Sequence, residues 1–385
     1  MVLGLSIFDL LLLGYASVTT ILLLASISIF AGYPQLPHRA VLEEPPVVSV
    51  ILPLRNQVAT AQACLESLVD QDYPRMEILV VEGGSDDGTG DVVREFADRV
   101  QIIEEPPLPA GWIGKNWACK QAADRAKGDM LLFTDGDTVH DPWLLRKSVA
   151  YLLAEGLDLL TLYPRLRMDS FWERAVLPFM IFLIGLSHRG AWVNRPDKRW
   201  AVANGQYLLF PRASYAAIGG HEAVRDRVDE DYRLSQRVKE AGLRLCMADS
   251  RQLLTVHMYD GLGEIWQGFA KNVFPGLDFR LRRIAWNTAG LFVGMLLPLI
   301  ILIAGLVLLP VQGPSLLLFV GAGLLTLIWV RVGLAYAFMG VPVAYALLAP
   351  IATIVVIGIL LDSARRYLRD GGVLWKGRLY GMPHR

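Results

Sequence analysis

The chain has 385 residues, of which 54% are hydrophobic, and its 37 Lys and Arg are balanced by 37 Asp and Glu. That length holds one sizeable domain plus several membrane spans, and the apolar share is high for a water-soluble protein. A zero net charge excludes a global field that would recruit nucleic acid or an anionic surface, so any electrostatic function is local. Cys64, Cys119 and Cys246 are scattered and odd in number, which excludes the spacing of a zinc site or redox motif and reads as free thiols in a reducing compartment.

Residues 11–30 are apolar or small and carry no charge, which is about the 20 residues needed to cross ~30 Å of hydrocarbon. Residues 1–9 lack Lys and Arg and the apolar run is long for a signal-peptide core, so residues 1–31 read as a retained transmembrane helix.

From residue 45 to about residue 260 the pattern changes to short β-branched runs alternating with amphipathic stretches, which is α/β periodicity. Residues 47–53 form a buried strand, and residues 60–69 place Ala61, Leu65, Leu68 and Val69 on one helical face that Asp72-Tyr73-Pro74 ends. A second strand, 77–81, runs into the acidic turn Glu82-Gly83-Gly84-Ser85-Asp86-Asp87-Gly88-Thr89, and a helix resumes at 91–96. Strands at 100–103 and 130–134 follow. Ligands of open α/β sheets bind beyond the carboxyl ends of parallel strands, and both acidic clusters, at Glu82 and at Asp135, stand at such ends. Residues 171–186 are rich in Phe, Leu, Ile and Met around Pro178 and read either as an interfacial helix or as a buried helix of the domain.

Hydrophobic sequence returns at 289–310, 315–338 and 342–361, separated by short turns containing Gly and Pro. Arg280, Arg282 and Arg283 precede the first of these segments, so the positive-inside rule places the central domain in the cytoplasm. Three further spans export the tail, residues 362–385, although it carries Arg365, Arg366, Arg369, Lys376, Arg378 and Arg385. Charge rule and span count therefore disagree, and a re-entrant or interfacial segment is one resolution. Arg331 inside a hydrophobic segment costs about 2.5 kcal/mol or more unless it faces protein, water or a headgroup.

Ser49 to Pro53, the Glu82 turn, Thr134-Asp135-Gly136-Asp137, Asn204-Gly205 before Gly219-Gly220, and Glu230-Asp231-Tyr232-Arg233-Leu234 stand in one order along half the chain. In that order they resemble the family-2 glycosyltransferases of the GT-A fold. Pro109 to Cys119, with its Gly111-Trp112-Ile113-Gly114-Lys115-Asn116 core, and Trp375-Lys376-Gly377-Arg378 in the tail resemble segments of hopanoid-associated, carotenoid and ceramide-type lipid glycosyltransferases. The resemblance implies a Rossmann-like domain with a mostly parallel sheet over residues 45–260, an interfacial segment at 261–288, about three transmembrane helices within 289–361, and the basic tail.

It also implies roles. Asp137 contacts Mg2+ or Mn2+, His257 is a possible third ligand, and Asp135 meets ribose or sugar and metal-bound water. Hard oxygen ligands favour those ions, which neutralise a departing diphosphate. Pro53 and Glu82 belong to the donor site, Glu82 and Gly83 standing where the family carries two acids. Lys115 meets phosphate or sugar, and Asn204 and Gly205 shape the sugar pocket. Asp231 is the general base for the acceptor hydroxyl, supported by Glu230.

The implied partners are a nucleotide-sugar donor, a UDP-sugar first among them, and a lipid acceptor in the membrane, with no nucleic acid. The implied location is a bacterial inner membrane. Polyprenyl-phosphate glycosylation, a processive polysaccharide synthase and a catalytically silent interaction protein are the alternatives. Lys271 and Asn272 replace the Arg-Trp that processive members carry after Gln267, which disfavours the synthase.

Overall fold

The computed structural model describes residues 6–24, 32–188, 192–197, 200–375 and 377–381. The end of the first predicted span, residues 25–30, lies outside them, as do Lys376 and Arg385. The chain divides into two compact units, one comprising Gly32–Met168, Ala191–Tyr259 and Leu374–Arg385, the other Met1–Ala31, Asp169–Gly190 and Asp260–Val373.

In chain order, α1 (Ile7–Leu24) is followed by β1 (Val48–Leu54), α2 (Val58–Val69), β2 (Met76–Glu82), α3 (Thr89–Arg94) and β3 (Gln101–Glu104). Next come α4 (Gly114–Arg125), β4 (Met130–Thr134), β5 (Thr138–His140), α5 (Leu144–Glu155), β6 (Leu159–Tyr163) and β7 (Arg165–Leu166). Then follow α6 (Phe171–His188), β8 (Tyr207–Pro211), α7 (Arg212–Ala217), α8 (Glu230–Glu240), β9 (Leu245–Asp249) and β10 (Leu254–Val256). The last elements are α9 (Leu262–Gly276), α10 (Leu281–Leu291), α11 (Leu297–Gln312), α12 (Leu316–Phe338), α13 (Ala349–Arg369), β11 (Val373–Trp375) and β12 (Arg378–Tyr380).

The first unit is built on a seven-stranded sheet in the order β3-β2-β1-β4-β8-β6-β9. β1 pairs in parallel with both β2 and β4, while β8 runs antiparallel between β4 and β6. Central parallel strands are covered on both faces, which is why β1 is apolar almost throughout. Val48, Val50, Leu52 and Leu54 pack on one side with Leu65 and Leu68 of α2, and Ile51 packs on the other with Ala118 and Ala122 of α4. The one polar residue inside β1, Ser49, donates to Glu77 at 2.5 Å and accepts the Gly128 N–H at 2.8 Å. After β3 the chain crosses to the other side of β1, so the carboxyl ends of β1 and β4 diverge at a topological switch point. A small sheet, β5-β10-β7, stands beside them.

In the second unit α6 is an 18-residue helix, begun by a capping box. Glu173 accepts the Ser170 N–H at 2.7 Å and Ser170 Oγ accepts the Glu173 N–H at 3.3 Å. Ala175, Val176, Phe179 and Phe182 are buried, and Tyr336 of α12 donates to the Ala175 carbonyl at 2.7 Å. The segment predicted inside the 45–260 domain thus clusters with the helices. Arg331 is 6% exposed, its guanidinium 4.9 Å from the Phe182 ring centre, so protein surrounds the charge.

Among the described residues four helices are long and apolar enough to cross a membrane: Ile7–Leu24, Leu281–Gln312, Leu316–Phe338 and Val343–Arg369. The last runs beyond the predicted boundary because Asp362 draws in Arg365 at 2.8 Å and Arg366 at 2.6 Å along one face. Asp362 also accepts the Trp266 indole N–H at 2.8 Å, and Ser363 donates to the Ala270 carbonyl at 2.5 Å, tying α13 to α9. α11 and α12 approach closely at Gly305, where a Cβ would lie 2.5 Å from the Leu318 nitrogen. Gly305→Val should therefore destabilise the detergent-solubilised protein by about 1–3 kcal/mol through overpacking. Gly323→Val is the control, since no atom lies within 4 Å of its Cβ position. Equal melting temperatures for the two variants would contradict this packing.

Candidate active site

The α4 start, the turn after β4 and the α8 start meet at the carboxyl end of the sheet. Lys115, second residue of α4, places its ammonium 2.7 Å from Asp135 Oδ1 and 2.8 Å from Glu230 Oε1. Burial alone would pull the ammonium down, but the two carboxylates outweigh it and hold Lys115 well above the usual lysine value. Asp231, next to Glu230, accepts the Gly205 N–H at 2.9 Å and the Tyr232 N–H at 2.7 Å. Burial, then repulsion from Glu230, pushes its carboxyl up to about 7, with Lys115 and the two N–H groups acting in the opposite direction. Asp231 is thus poised to gain and lose a proton near neutral pH.

The supports of this cluster are specific. Asn116, fully buried, donates to the carbonyls of Val224 and Arg227 at 2.8 Å each, and the Ile113 N–H donates to the Arg225 carbonyl at 2.7 Å. α4 therefore fixes the loop that delivers α8. Asp229, the residue before α8, is bound by Arg227 and Arg233 at 2.9 Å each, which commits it to structure. Under the turn after β4, Thr134 bonds the Gln206 carbonyl at 2.9 Å and Thr138 bonds the Asp135 carbonyl at 2.7 Å. Buried His140 sits 2.9 Å from Thr138, its pKa pulled down to about 3 by burial, so it is a neutral strut.

The predicted residues separate into groups. Lys115, Asp135, Gly205, Glu230 and Asp231 converge. Asp137 and His257 are brought side by side by the β5 and β10 pairing, the His257 N–H donating to the Asp137 carbonyl at 3.1 Å. Pro53 and Glu82 end neighbouring strands, in register with Val81 and Leu54. Glu82 caps its own turn, accepting the Gly84 N–H at 2.9 Å and the Ser85 N–H at 2.8 Å. The Asn204 amide bonds Gln206 Oε1 at 2.8 Å and the Leu162 carbonyl at 3.3 Å, so it shapes the Gly205 turn. Residues to which sequence reasoning gave no role are Asn116, Glu105 and Arg55. Asn116 stands inside the motif already singled out for Lys115, and that adjacency is the available signal.

Among the described residues no group of three or more His, Cys, Asp or Glu could hold a metal ion. Mg2+ and Mn2+ sites that serve phosphates are commonly built from one or two carboxylates, with substrate oxygens and water completing the shell. Asp137 and His257, neighbours through the β5 and β10 pairing, offer a carboxylate oxygen and an imidazole nitrogen as donor types for such an ion.

An α/β sheet with its acidic cluster at the switch point, helices long enough to span a membrane, and a lysine paired to two carboxylates define a sugar-nucleotide transferase fold of the GT-A class. Comparison with known proteins agrees. Residues 49–198 match the family described as Glycosyl transferase family 2. Glycosyltransferase AglE of Haloferax volcanii is 36% identical over 120 residues, covering 30% of this chain and 38% of that protein. A 4,4'-diaponeurosporenoate glycosyltransferase of Staphylococcus haemolyticus is 22% identical over 261 residues, covering 65% of this chain and 69% of the relative. The mannosyltransferase of Pyrobaculum calidifontis, solved with GDP-Man and Mn2+, superposes with a TM-score of 0.53 at 18% identity, over 94% of this chain and 99% of that one. Residues 49–198 thus match the glycosyl transferase family 2 model, and the fold is that of the GT-A class.

The raised Asp231 carboxyl makes a stability prediction. Its ordinary value is 3.8 and its folded value about 7, so between them the folded protein keeps a proton that the unfolded chain has released. Folding stability then falls as pH rises through that window. Asp231→Asn cannot ionise, and it should melt above wild type at about pH 8 with the difference closing toward about pH 4. A difference independent of pH would remove this account of Asp231.

Proposed function

We propose that this protein is a membrane-anchored glycosyltransferase that moves one sugar, with inversion, from a nucleoside-diphosphate donor to a hydroxyl of a membrane lipid. The observation that carries the reading is the position of Asp231, a carboxyl raised toward neutrality beside the Lys115, Asp135 and Glu230 cluster. A general base works best when its pKa lies near the operating pH. Asp231 takes the proton of the acceptor hydroxyl as that oxygen attacks the anomeric carbon, and the diphosphate leaves from the opposite face. Lys115, held positive by its two carboxylates, offers a fixed charge to the donor's phosphate or sugar. Asp137 and His257 would hold Mg2+ or Mn2+, which supplies charge neutralisation to the departing diphosphate. UDP-sugars and GDP-sugars are both within the proposed donor class.

The lipid acceptor is favoured by the four apolar helices. Arg280, Arg282 and Arg283 favour a cytoplasmic catalytic domain at a bacterial inner membrane. Arg378 of the tail pairs with Glu105 of the catalytic unit, which supports an even number of crossings between the domain and the tail. We assign those crossings to the α10–α11 helix and to α12, and an in-plane course to α13, whose Asp362 and Ser363 bond α9. This arrangement reconciles the basic tail with the charge rule.

Asp231→Asn should slow single-turnover transfer to a lipid hydroxyl by about 10²–10⁴-fold with little change in donor affinity. Near-normal transfer would sink the base assignment and favour an acceptor that is already ionised, such as a polyprenyl phosphate. Asp137→Ala should abolish Mn2+-dependent binding of a nucleoside diphosphate while the protein stays folded. Unaltered Mn2+-dependent binding would contradict the metal role.

A further inference from the structure

The tail enters the catalytic unit through β12. Arg378 makes a paired contact with Glu105, one nitrogen at 3.2 Å from Oε1 and the other on Oε2. The side chains are 21% and 5% exposed, so this ion pair is far drier than a surface pair. Arg378 Nη2 also reaches the Gly83 carbonyl at 3.4 Å, which the Arg55 guanidinium shares. Glu105 itself is registered to the donor side of the sheet, its N–H donating to the Glu82 carbonyl at 3.1 Å.

The seat of the guanidinium is Gly114, the first residue of α4. A Cβ there would fall 1.7 Å from Arg378 Nη1, so a side chain at residue 114 would push the guanidinium out of this seat. The next residue is Lys115. Two residues beyond Arg378 stands Tyr380, whose phenol is raised by burial, with Glu230 adding to the shift and Arg378, Lys115 and Arg55 opposing it. Tyr380 thus feels the same charges that surround the proposed reaction centre. Arg55, Lys115 and Arg378 bring three cationic groups to this end of the sheet, Lys115 and Arg378 already paired with carboxylates, and an anionic ligand would share them.

We propose that residues 377–381 are a strap over the donor cleft, latched by the Arg378 and Glu105 pair on Gly114, and that the strap completes the binding surface for a nucleoside-diphosphate sugar. Arg378 is a positioning residue: its bonds to Glu105 and to the Gly83 carbonyl hold β12, and with it Tyr380, at this end of the sheet and order the Gly83-Gly84 turn. The assignment of the ligand rests on the transferase reading above, whereas the latch itself does not.

The test uses the full chain in detergent or native membranes, with Arg378→Ala, Arg378→Lys, Glu105→Ala and the charge-swapped pair Arg378→Glu with Glu105→Arg. Loss of a charge-assisted bond of this kind predicts a rise in donor KM of about tenfold or more in Arg378→Ala and Glu105→Ala, with kcat falling less. Arg378→Lys should fall between them and wild type, and the swapped pair should regain part of the affinity. Binding of UDP and GDP with Mn2+ should follow the same order. A donor KM unchanged in Arg378→Ala, or a faster turnover there, overturns the strap, the latter pointing to an autoinhibitory tail. A wild-type protein that transfers no sugar would fail the functional reading instead. The latch is then judged by chymotrypsin cleavage at Leu379 and Tyr380, which should accelerate in Arg378→Ala and recede in the swapped pair; equal cleavage in all variants overturns it.

Discussion

The site depends on one lysine held by two carboxylates from different parts of the chain. Lys115 of α4 bonds Asp135 after β4 and Glu230 of α8, the last of them more than a hundred residues further along the chain. Buried charges persist only when paired and hydrogen-bonded, so the ammonium dictates how close the three elements stand. Truncating Lys115 would take the shared cation from both carboxylates, and truncating either carboxylate would leave the ammonium with one of its two partners. The same arrangement sets the neighbouring Asp231 apart, because Glu230 spends its own charge on Lys115 while still repelling the next carboxylate.

From that constraint the geometry of transfer follows. The Gly205 N–H aims the Asp231 carboxylate, and Asn116 pins the loop ahead of α8 from the other side of the cluster. Asp137 and His257 occupy a separate corner created by strand pairing. On the proposed reading, Asp231 would accept the proton of the nucleophile, and Asp137 and His257 would serve the departing diphosphate.

Much of this was legible in the sequence. Buried strands announce themselves as β-branched runs with turn punctuation, and the structure puts 130–134 in β4 and 47–53 within one residue of β1. Asp135 and Asp231 could be singled out because acid clusters at strand ends and helix starts carry a known chemistry in the family they resemble. The pairing of Lys115 with Glu230 spans more than a hundred residues, and no local pattern encodes it. Glu82 illustrates the opposite limit, since its place at the end of β2 was evident but its engagement with its own turn depends on loop geometry. Residues 171–186 were ambiguous because periodicity cannot distinguish an interfacial helix from a buried helix of the domain. The tail conflicted with the span count because hydropathy measures length and apolarity and does not read the bonds that Asp362 and Ser363 make to α9.

The central claim is that Asp231 accepts the proton in the chemical step, and the pH dependence of single-turnover transfer by the wild-type protein tests it most directly. The account predicts that the rate rises tenfold per pH unit up to an acid limb near 7, the value to which burial and Glu230 bring this carboxyl, and then levels. A limb near the ordinary carboxylate value of about 4, or a rate without an acid limb, would contradict it.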